Sequence, residues 1–206
     1  MTPKGPSIGE LAKLILDKAA GHSGRFIVAI AGPPACGKST LAADLARQIG
    51  PGARVLAMDG FHFDDAVLTA RGHQLRKGAP HTFDVAGLAQ CLGRIRSGEV
   101  VAIPVFDRAL ELSRAGAEVV QAEDRIILVE GNYLLLTTGP WAALRDLFDF
   151  RILVRASEEV LTQRLVDRWT HYGRADAAAW IRSNDLPNAQ TVIRESGGED
   201  LAIDTD

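Results

Sequence analysis

The sequence predicts an α/β fold of three layers, α/β/α, in which helices cover both faces of a central, mostly parallel five-stranded sheet that carries a small helical lid. Three observations lead to this prediction. Short apolar runs rich in β-branched residues, such as residues 25–31 and 125–129, are typical of buried parallel strands. Segments with apolar residues at helical spacing alternate with these runs, as they do in parallel sheets. A glycine-rich turn connects the first strand to the helix that follows it.

The first half of the chain predicts two helices, two strands and a long irregular segment. Ser7 and Glu10 have the spacing of a capping box, so a helix starts there and continues to Ala20. A strand, a helix and a second strand follow, over residues 25–31, 41–49 and 54–58. Residues 60–82 show no clear period. Because long loops in compact domains are usually functional, we expect this segment to contribute to a site.

The second half predicts further helices and strands, over residues 84–98 (helix), 100–106 (strand), 125–129 (strand), the residues after Pro140 (short helix) and 148–154 (strand). Pro104 marks a sheet edge or a strand end. Ser157 is a helix cap, and the lid is expected over about 157–185. The tail after residue 193 predicts no element. We expect residues 1–206 to form a single domain.

Composition restricts the classes of partner. The chain has 206 residues, 47% hydrophobic and 24% charged, with a net charge of −3, which is ordinary for a globular protein and unfavourable for nucleic acid as the main partner. It has two cysteines, Cys36 and Cys91, and a disulfide at Cys36 would obstruct the glycine-rich turn. With neither a leader nor a long apolar run in the sequence, we expect a cytoplasmic protein without a membrane partner.

The most informative segment is Gly32–Thr40, which reads Gly-Pro-Pro-Ala-Cys-Gly-Lys-Ser-Thr and matches the phosphate-binding loop G-x-x-x-x-G-K-[S/T] of P-loop NTPases. In such a loop backbone N–H groups surround phosphate oxygens, Lys38 reaches the β and γ phosphates, and Ser39 offers its hydroxyl to Mg²⁺. The sequence therefore predicts ATP and Mg²⁺ as cofactors. The predicted nucleotide contacts are Gly32, Pro33, Ala35, Cys36, Gly37, Lys38, Ser39 and Thr40.

Two acidic residues follow predicted strands and are expected to lie near this loop. Because the carboxyl ends of parallel strands meet at one edge of a sheet, Asp59, Glu130 and Gly32 should converge there. We expect Glu130 to hold Mg²⁺ together with Ser39, and Asp59 to accept the proton of a substrate hydroxyl. A turn aspartate before glycine is the alternative interpretation of Asp59.

Basic residues supply candidates for the charged parts of the reaction. Arg164 and Arg168 lie one helical turn apart, and on a closing lid they could stabilise charge on the transferred phosphoryl group, as Lys38 does. Solvated surface arginines are the alternative. The residues assigned to an acidic or hydroxyl-rich acceptor are Asp59, Phe61, His62, Arg76 and Lys77.

The chain resembles the phosphoribulokinase, uridine kinase and pantothenate kinase family of P-loop kinases. The segments that carry the resemblance are GPPACGKST (32–40), MDGFHFDD (58–65), RKGAPHTFD (76–84), PVFDR (104–108), VEGNYLLL (129–136), RLVDRW (164–169) and NDLPNA (184–189). Within the family, RKGAP and EGNYLLL are most similar to bacterial fructose transport system kinases.

The resemblance implies roles for further residues. It places Asp107 and Arg108 at the acceptor pocket and Asn188 near the adenine, and it matches Asp59 and Glu130 to the two acids of the family. Related kinases are often dimers, so a homodimer is open. Phe106 stands where relatives often have tyrosine, and Arg108 where pantothenate kinases have histidine.

The leading hypothesis is an ATP-dependent kinase that transfers the γ-phosphate to a hydroxyl of a small molecule, such as the sugar fructose. A nucleoside or pantothenate-type kinase is the alternative within the same class. A regulatory ATPase or a nucleotide-binding module that transfers nothing is the alternative of a different class. Asp59 distinguishes them, because only a kinase needs an acid that orients an acceptor.

Overall fold

The structure is a computed structural model that describes residues 5–206. Within this range, five parallel strands form one sheet in the order β2-β5-β1-β6-β7, and two antiparallel strands, β3 and β4, form a separate hairpin. The strands are β1 (Phe26–Ala31), β2 (Ala53–Ala57), β3 (Val101–Asp107), β4 (Leu112–Val120), β5 (Ile126–Gly131), β6 (Phe150–Arg155) and β7 (Leu201–Asp204).

The predicted helices occur in the predicted order, and α3 is an additional helix within residues 60–82, where no period was found in the sequence. They are α1 (Ile8–Ala20), α2 (Lys38–Ile49), α3 (Asp65–Ala70), α4 (Val85–Arg96), α5 (Glu158–His171), α6 (Ala177–Trp180) and α7 (Leu186–Glu195), with a π-helical turn at Ile181–Asp185 and 3₁₀ segments at Met58–Phe61, Gln74–Arg76, Pro80–Thr82 and Gly139–Leu147. The capping box of Ser7 and Glu10 begins α1, and Ser157 caps α5. Across residues 5–206, none of the helices combines the length and the apolar character that crossing a bilayer requires.

The core lies on both faces of the five-stranded sheet, as the strand sequences predict. Successive residues of a strand point to opposite faces. In β1, Val28 and Ile30 pack with α1 and α2, whereas Ile27 and Ala29 pack with α4 on the other face. All six residues of β1 and all six of β5 are buried, which explains their continuous apolar sequences. The three-layer α/β/α prediction is therefore confirmed.

The membership of the main sheet differs from the sequence prediction. The strand expected over 100–106 pairs with β4 instead of joining the parallel strands, and its register shifts between Ile103 and Val105, at Pro104. The fifth strand of the main sheet is β7, in the tail that predicted no element. Neither β4 nor β7 was predicted, because β4 is largely exposed and β7 has only four residues. Neither strand therefore carries a strong apolar pattern in the sequence.

Strand registers bring the predicted site residues to one edge of the sheet. Glu130 in β5 lies beside Ile30 of β1 on one side and beside Ala57 of β2 on the other. The hairpin crosses directly over the end of β2, where a Cβ atom on Gly60 would lie 2.4 Å from the carbonyl oxygen of Pro104. Glycine at position 60 thus allows the β3–β4 hairpin to lie over the carboxyl edge of the sheet.

Candidate active site

The phosphate-binding loop adopts the backbone conformations that its sequence requires. Gly32 ends β1 where a Cβ atom would lie 2.5 Å from the carbonyl oxygen of Val154, so only glycine fits. Ala35 and Gly37 have positive φ angles of 65° and 94°. Gly37 precedes α2 and has no side chain with which to cap it, so the N–H groups of the first turn face the loop. A helix N-terminus with free N–H groups is an anion site.

The C-terminal tail contacts the phosphate-binding loop through Thr205. The Thr205 hydroxyl donates to the carbonyl oxygen of Cys36 at 3.0 Å, and the backbone N–H of Thr205 donates to Arg155 at 2.9 Å. Cys36 is fully buried, and burial raises the pKa of its thiol, which fits a packing role. Thr205 is therefore a loop-supporting residue that the sequence did not reveal.

Arg164 and Arg168 have different surroundings, although both were predicted for the lid. Arg164 binds the tail, donating to the carbonyl oxygen of Thr205 at 2.6 Å and to its hydroxyl at 3.1 Å. It lines an open depression beside the phosphate loop together with Ala35, Thr40 and Asp44. Arg164 thus connects the tail to the region beside the phosphate loop, and its predicted action on the transferred phosphoryl group stays a prediction.

Arg168 lies close enough to Asp59, Arg108 and Asp185 for their charges to act on it. Burial and the neighbouring charge of Arg108 lower the pKa of Arg168, and Asp59 and Asp185 oppose this effect. Asp185 is 9% exposed, accepts a hydrogen bond from the indole N–H of Trp169 at 2.6 Å, and has its pKa raised by burial. It belongs to the π-helical turn, a geometry that is frequent at functional sites. Asp185 was quoted in the family resemblance but given no role from the sequence.

Asp59 lies in the 3₁₀ segment that follows β2, and its carboxylate pairs with Arg108. The distance from Arg108 Nη2 to Asp59 Oδ2 is 2.5 Å, and the two side chains are 40% and 28% exposed. Burial raises the pKa of Asp59, but His62 in its protonated form and the cations Arg108, Lys38 and Arg168 outweigh it and hold the pKa below its ordinary value. Asp59 is therefore an ionised carboxylate surrounded by cations.

Glu130 is more deeply buried and behaves differently. It is 8% exposed, and burial raises its pKa, with a contribution from the negative charge of Asp59. Lys38 and a hydrogen bond from Ser39 oppose this rise. Asp59 and Glu130, the two acids predicted to converge at this edge, are thus close enough for their charges to interact.

The oxygens of Ser39 and Glu130 are hard ligands of the kind that Mg²⁺ prefers, so these two donors fit this ion. No group of three or more His, Cys, Asp or Glu side chains in the described part of the chain is arranged to hold a metal ion. Magnesium bound with a nucleotide needs few protein ligands, since phosphates and waters complete its octahedron.

His62 lies next to Asp59, in the region where an acceptor was expected. Its Nδ1 atom lies 2.8 Å from the carbonyl oxygen of Asp59, and its ring centroid lies 4.0 Å and 4.8 Å from those of Phe83 and Phe106. Burial lowers the pKa of His62, so the ring is neutral near pH 7. Since a carbonyl only accepts, the proton sits on Nδ1 and Nε2 is an acceptor. Phe61 instead packs against the core, which corrects its predicted acceptor role.

The two other basic residues assigned to the acceptor hold the surrounding loops. Arg76 donates to the carbonyl oxygen of Ser183 at 2.5 Å and to Asn188 Oδ1 at 3.0 Å. Lys77 lies 2.7 Å from an oxygen of Asp65 and donates to the carbonyl oxygen of Glu111 at 2.7 Å. Lys77 thus connects α3 to the hairpin turn. Its ammonium nitrogen also lies 5.4 Å from the centroid of the Phe106 ring, so its predicted contact with an acceptor stays a prediction.

Two residues placed by resemblance have hydrogen-bond partners within the protein, and their roles toward ligands stay predictions. Asn188 is 3% exposed and accepts a hydrogen bond from Arg76, whereas other residues line the depression beside the phosphate loop. Asp107 caps the hairpin turn, because its Oδ1 accepts from the backbone N–H groups of Ala109 and Leu110, each at 3.1 Å. Its other oxygen lies 3.3 Å from Arg114. A strand end that enters a tight turn needs such a cap, which accounts for the aspartate.

A buried polar network that the sequence did not predict connects the acceptor loop to the lid. The Tyr133 hydroxyl donates to the carbonyl oxygen of Gly78 at 2.6 Å, and Asn184 Nδ2 donates to the carbonyl oxygen of Lys77 at 2.8 Å. Burial raises the pKa of Tyr133 far above its ordinary value, so its hydroxyl remains protonated. Its position after Glu130 in the EGNY segment is the signal that could have identified it.

Comparisons with known proteins agree with this geometry. The chain is 37% identical over 189 residues to YggC of Escherichia coli K12, covering 87% of this chain and 78% of that protein. It is 31% identical to a Schizosaccharomyces pombe protein suggested to be a uridine kinase, covering 88% and 84% of the two chains. A solved structure from Silicibacter sp. TM1040, of a protein suggested to be a fructose transport system kinase, superposes with a TM-score of 0.91 at 37% identity, covering 96% of this chain and 99% of that chain.

The family assignment rests on a match to a family model over most of the chain. Residues 27–179, from β1 to the lid, match the model of the Phosphoribulokinase / Uridine kinase family. This range contains the phosphate-binding loop, both acids and Arg168. The chain therefore belongs to the Phosphoribulokinase / Uridine kinase family, a family of kinases that use ATP as phosphate donor.

Proposed function

We propose that this protein transfers the γ-phosphate of Mg·ATP to a hydroxyl group of a small molecule, with Asp59 accepting the hydroxyl proton. The observation that carries the proposal is the position of Asp59. Its carboxylate is held beside the phosphate-binding loop, within the field of Lys38, while Arg168 approaches it from the lid. A base next to the transferred group and a cation above that group are what phosphoryl transfer requires.

The other residues support the donor side. The N–H groups of the loop and Lys38 hold the triphosphate, and Ser39 and Glu130 would hold Mg²⁺, which neutralises charge on the phosphates when bound. Arg168 would stabilise the charge that accumulates on the transferred group in a site with little water. Arg164 and Thr205 support the loop and the nucleotide.

The acceptor side favours a kinase over a regulatory ATPase. The ring of His62, next to Asp59, packs against the rings of Phe83 and Phe106. We interpret these rings as a contact surface for an organic acceptor, which an ATPase that transfers phosphate to water does not need. A sugar such as fructose is the first acceptor class that we propose to test, with nucleosides and pantothenate as the alternatives. A small-molecule acceptor in the cytoplasm, without nucleic acid, membrane or an obligatory second subunit, completes the proposal.

The test is ADP release from Mg·ATP across sugars, sugar acids, sugar phosphates, nucleosides and pantothenate. We expect acceptor-dependent turnover in the wild type and a loss of about two orders of magnitude or more in Asp59→Asn, the range of general base catalysis. Asp17→Asn is the matched control, because Asp17 is exposed on α1 and pairs only with Lys13 among the described residues. Hydrolysis that needs no acceptor and persists in Asp59→Asn would support the regulatory ATPase instead.

A further inference from the structure

We propose that the acceptor carries a negatively charged group, a carboxylate or a phosphate, and that this group draws Arg108 away from Asp59 and so frees the base. The inference rests on the proposed function and narrows its acceptor class. It makes Arg108 a residue that determines specificity. A neutral hydroxyl compound would lack the group that competes for Arg108.

The ion pair between Arg108 and Asp59 obstructs the proposed base. Arg108 Nη2 lies 2.5 Å from Asp59 Oδ2, so one of the two carboxylate oxygens is already a hydrogen-bond acceptor. A carboxylate that is stabilised by a guanidinium is also a weaker base, which agrees with the lowered pKa of Asp59. An acceptor hydroxyl would gain a stronger base if Arg108 moved to another anion.

Arg108 is placed so that it can move. It follows the last residue of β3 at the start of the hairpin turn, and the hairpin's backbone pairing lies within β3 and β4 themselves. Its side chain is 40% exposed and lies over the Phe106 ring, with the guanidinium carbon 5.6 Å from the ring centroid. Ion pairs as exposed as this one are weak, whereas a carboxylate or phosphate can bind a guanidinium through two parallel hydrogen bonds.

The charges around Asp59 leave room for another anion. The charge of Arg108 acts on Arg168 and disfavours its charged form, whereas Asp59 and Asp185 favour it. Glu130 is a third carboxylate on which Arg108 acts. Arg76 is a further cation near this site, since its charge acts on Tyr133. Its hydrogen-bond partners among the described residues are a carbonyl oxygen and an amide oxygen, which are both neutral. An anionic acceptor would reduce the repulsion between these cations, whereas a neutral one would leave it unchanged.

The experiment compares acceptors that share their hydroxyl groups and differ in charge. The matched sets are glycerol with glycerate and glycerol phosphate, glucose with gluconate and glucose 6-phosphate, and fructose with fructose 6-phosphate. Carboxylate and phosphate members distinguish the two sources of charge. The protein variants are Arg108→Met and Arg108→Lys, with Arg94→Met as the control, since Arg94 pairs with Glu99 at the far end of α4.

We expect kcat/KM to be about 10- to 100-fold higher for one charged member than for its neutral partner, the range that one or two charge-assisted hydrogen bonds provide. Arg108→Met should remove that ratio, mainly through the KM of the charged acceptor, and Arg108→Lys should restore part of it. Arg94→Met should keep it.

Two results would overturn the inference, and they are distinguishable. If neutral and charged acceptors are used equally well, or Arg108→Met keeps the preference, the inference fails, and the proposed function stands provided that Asp59→Asn abolishes the turnover. If none of the acceptors supports turnover and ATP hydrolysis is unaffected by Asp59→Asn, the proposed function fails and the inference fails with it.

Discussion

The support that Thr205 gives to the phosphate-binding loop predicts that Thr205→Val weakens ATP binding. Valine keeps the shape of the side chain but removes the hydroxyl that donates to Cys36 and accepts from Arg164. Each such hydrogen bond contributes a net stabilisation of about 0.5–1.5 kcal/mol. Because both bonds order the loop that binds the triphosphate, we expect about 1–2 kcal/mol less binding free energy, a Kd about 5- to 30-fold higher.

The assay is the calorimetric Kd of Mg·ATP, which requires no knowledge of the acceptor. Thr162→Val is the matched control, since its hydroxyl donates to the carbonyl oxygen of Glu158 within α5, at 2.7 Å. A Kd that changes less than about twofold in Thr205→Val, below what one hydrogen bond contributes, would refute the argument that the tail orders the loop. The same Kd shift in both variants would refute it as well.

Three further predictions follow from buried or charged groups. Arg25 is 4% exposed and donates to four backbone carbonyls, so Arg25→Met should lower the free energy of unfolding by about 3–5 kcal/mol in urea denaturation. Arg47→Met breaks an exposed pair with Asp44 and should cost less than about 1 kcal/mol. Burial raises the pKa of Glu130, so its ionised form lowers the stability of the protein above that pKa. Glu130→Gln should therefore raise the melting temperature at pH 8, by about 2–4 °C for each kcal/mol of stability regained, while activity falls. An unchanged or lower melting temperature would contradict this. Cations hold the pKa of Asp59 below its ordinary value against the effect of burial. The ion pair with Arg108 therefore stabilises the protein at a pH above the ordinary pKa, and this stabilisation is lost as the pH falls through the lowered pKa. Arg108→Met should raise the pKa of Asp59 and move the acid limb of the kcat/KM profile to higher pH, and a limb that stays in place would exclude Arg108 as a cause.

Local features of the site could be predicted from sequence because short contiguous segments determine them. The residues of the phosphate-binding loop are adjacent, and their glycines and backbone angles depend on their own identities. The convergence of Asp59 and Glu130 was predictable for a different reason. In any parallel sheet the carboxyl ends of the strands meet at one edge, so the position of each acid after a strand was sufficient.

The direction in which a side chain points across the site could not be predicted. Arg164 and Arg168 share a face of α5, but four residues separate them by about 6 Å along the axis. That distance places one beside Thr205 and the other beside Asp59. The angle at which α5 crosses the sheet edge decides this, and packing against distant elements sets that angle.

By itself, the sequence determined the α/β class, the nucleotide loop, the two acids and the family, because each depends on a contiguous motif or on the alternation of strands and helices. Tertiary structure alone decided that β7 completes the sheet, that the hairpin brings Arg108 onto Asp59, and that Asn188 and Lys77 hold the lid and loops together. These contacts join residues that are far apart in the chain. Their partners are chosen by packing, and no local pattern of residue types records that choice.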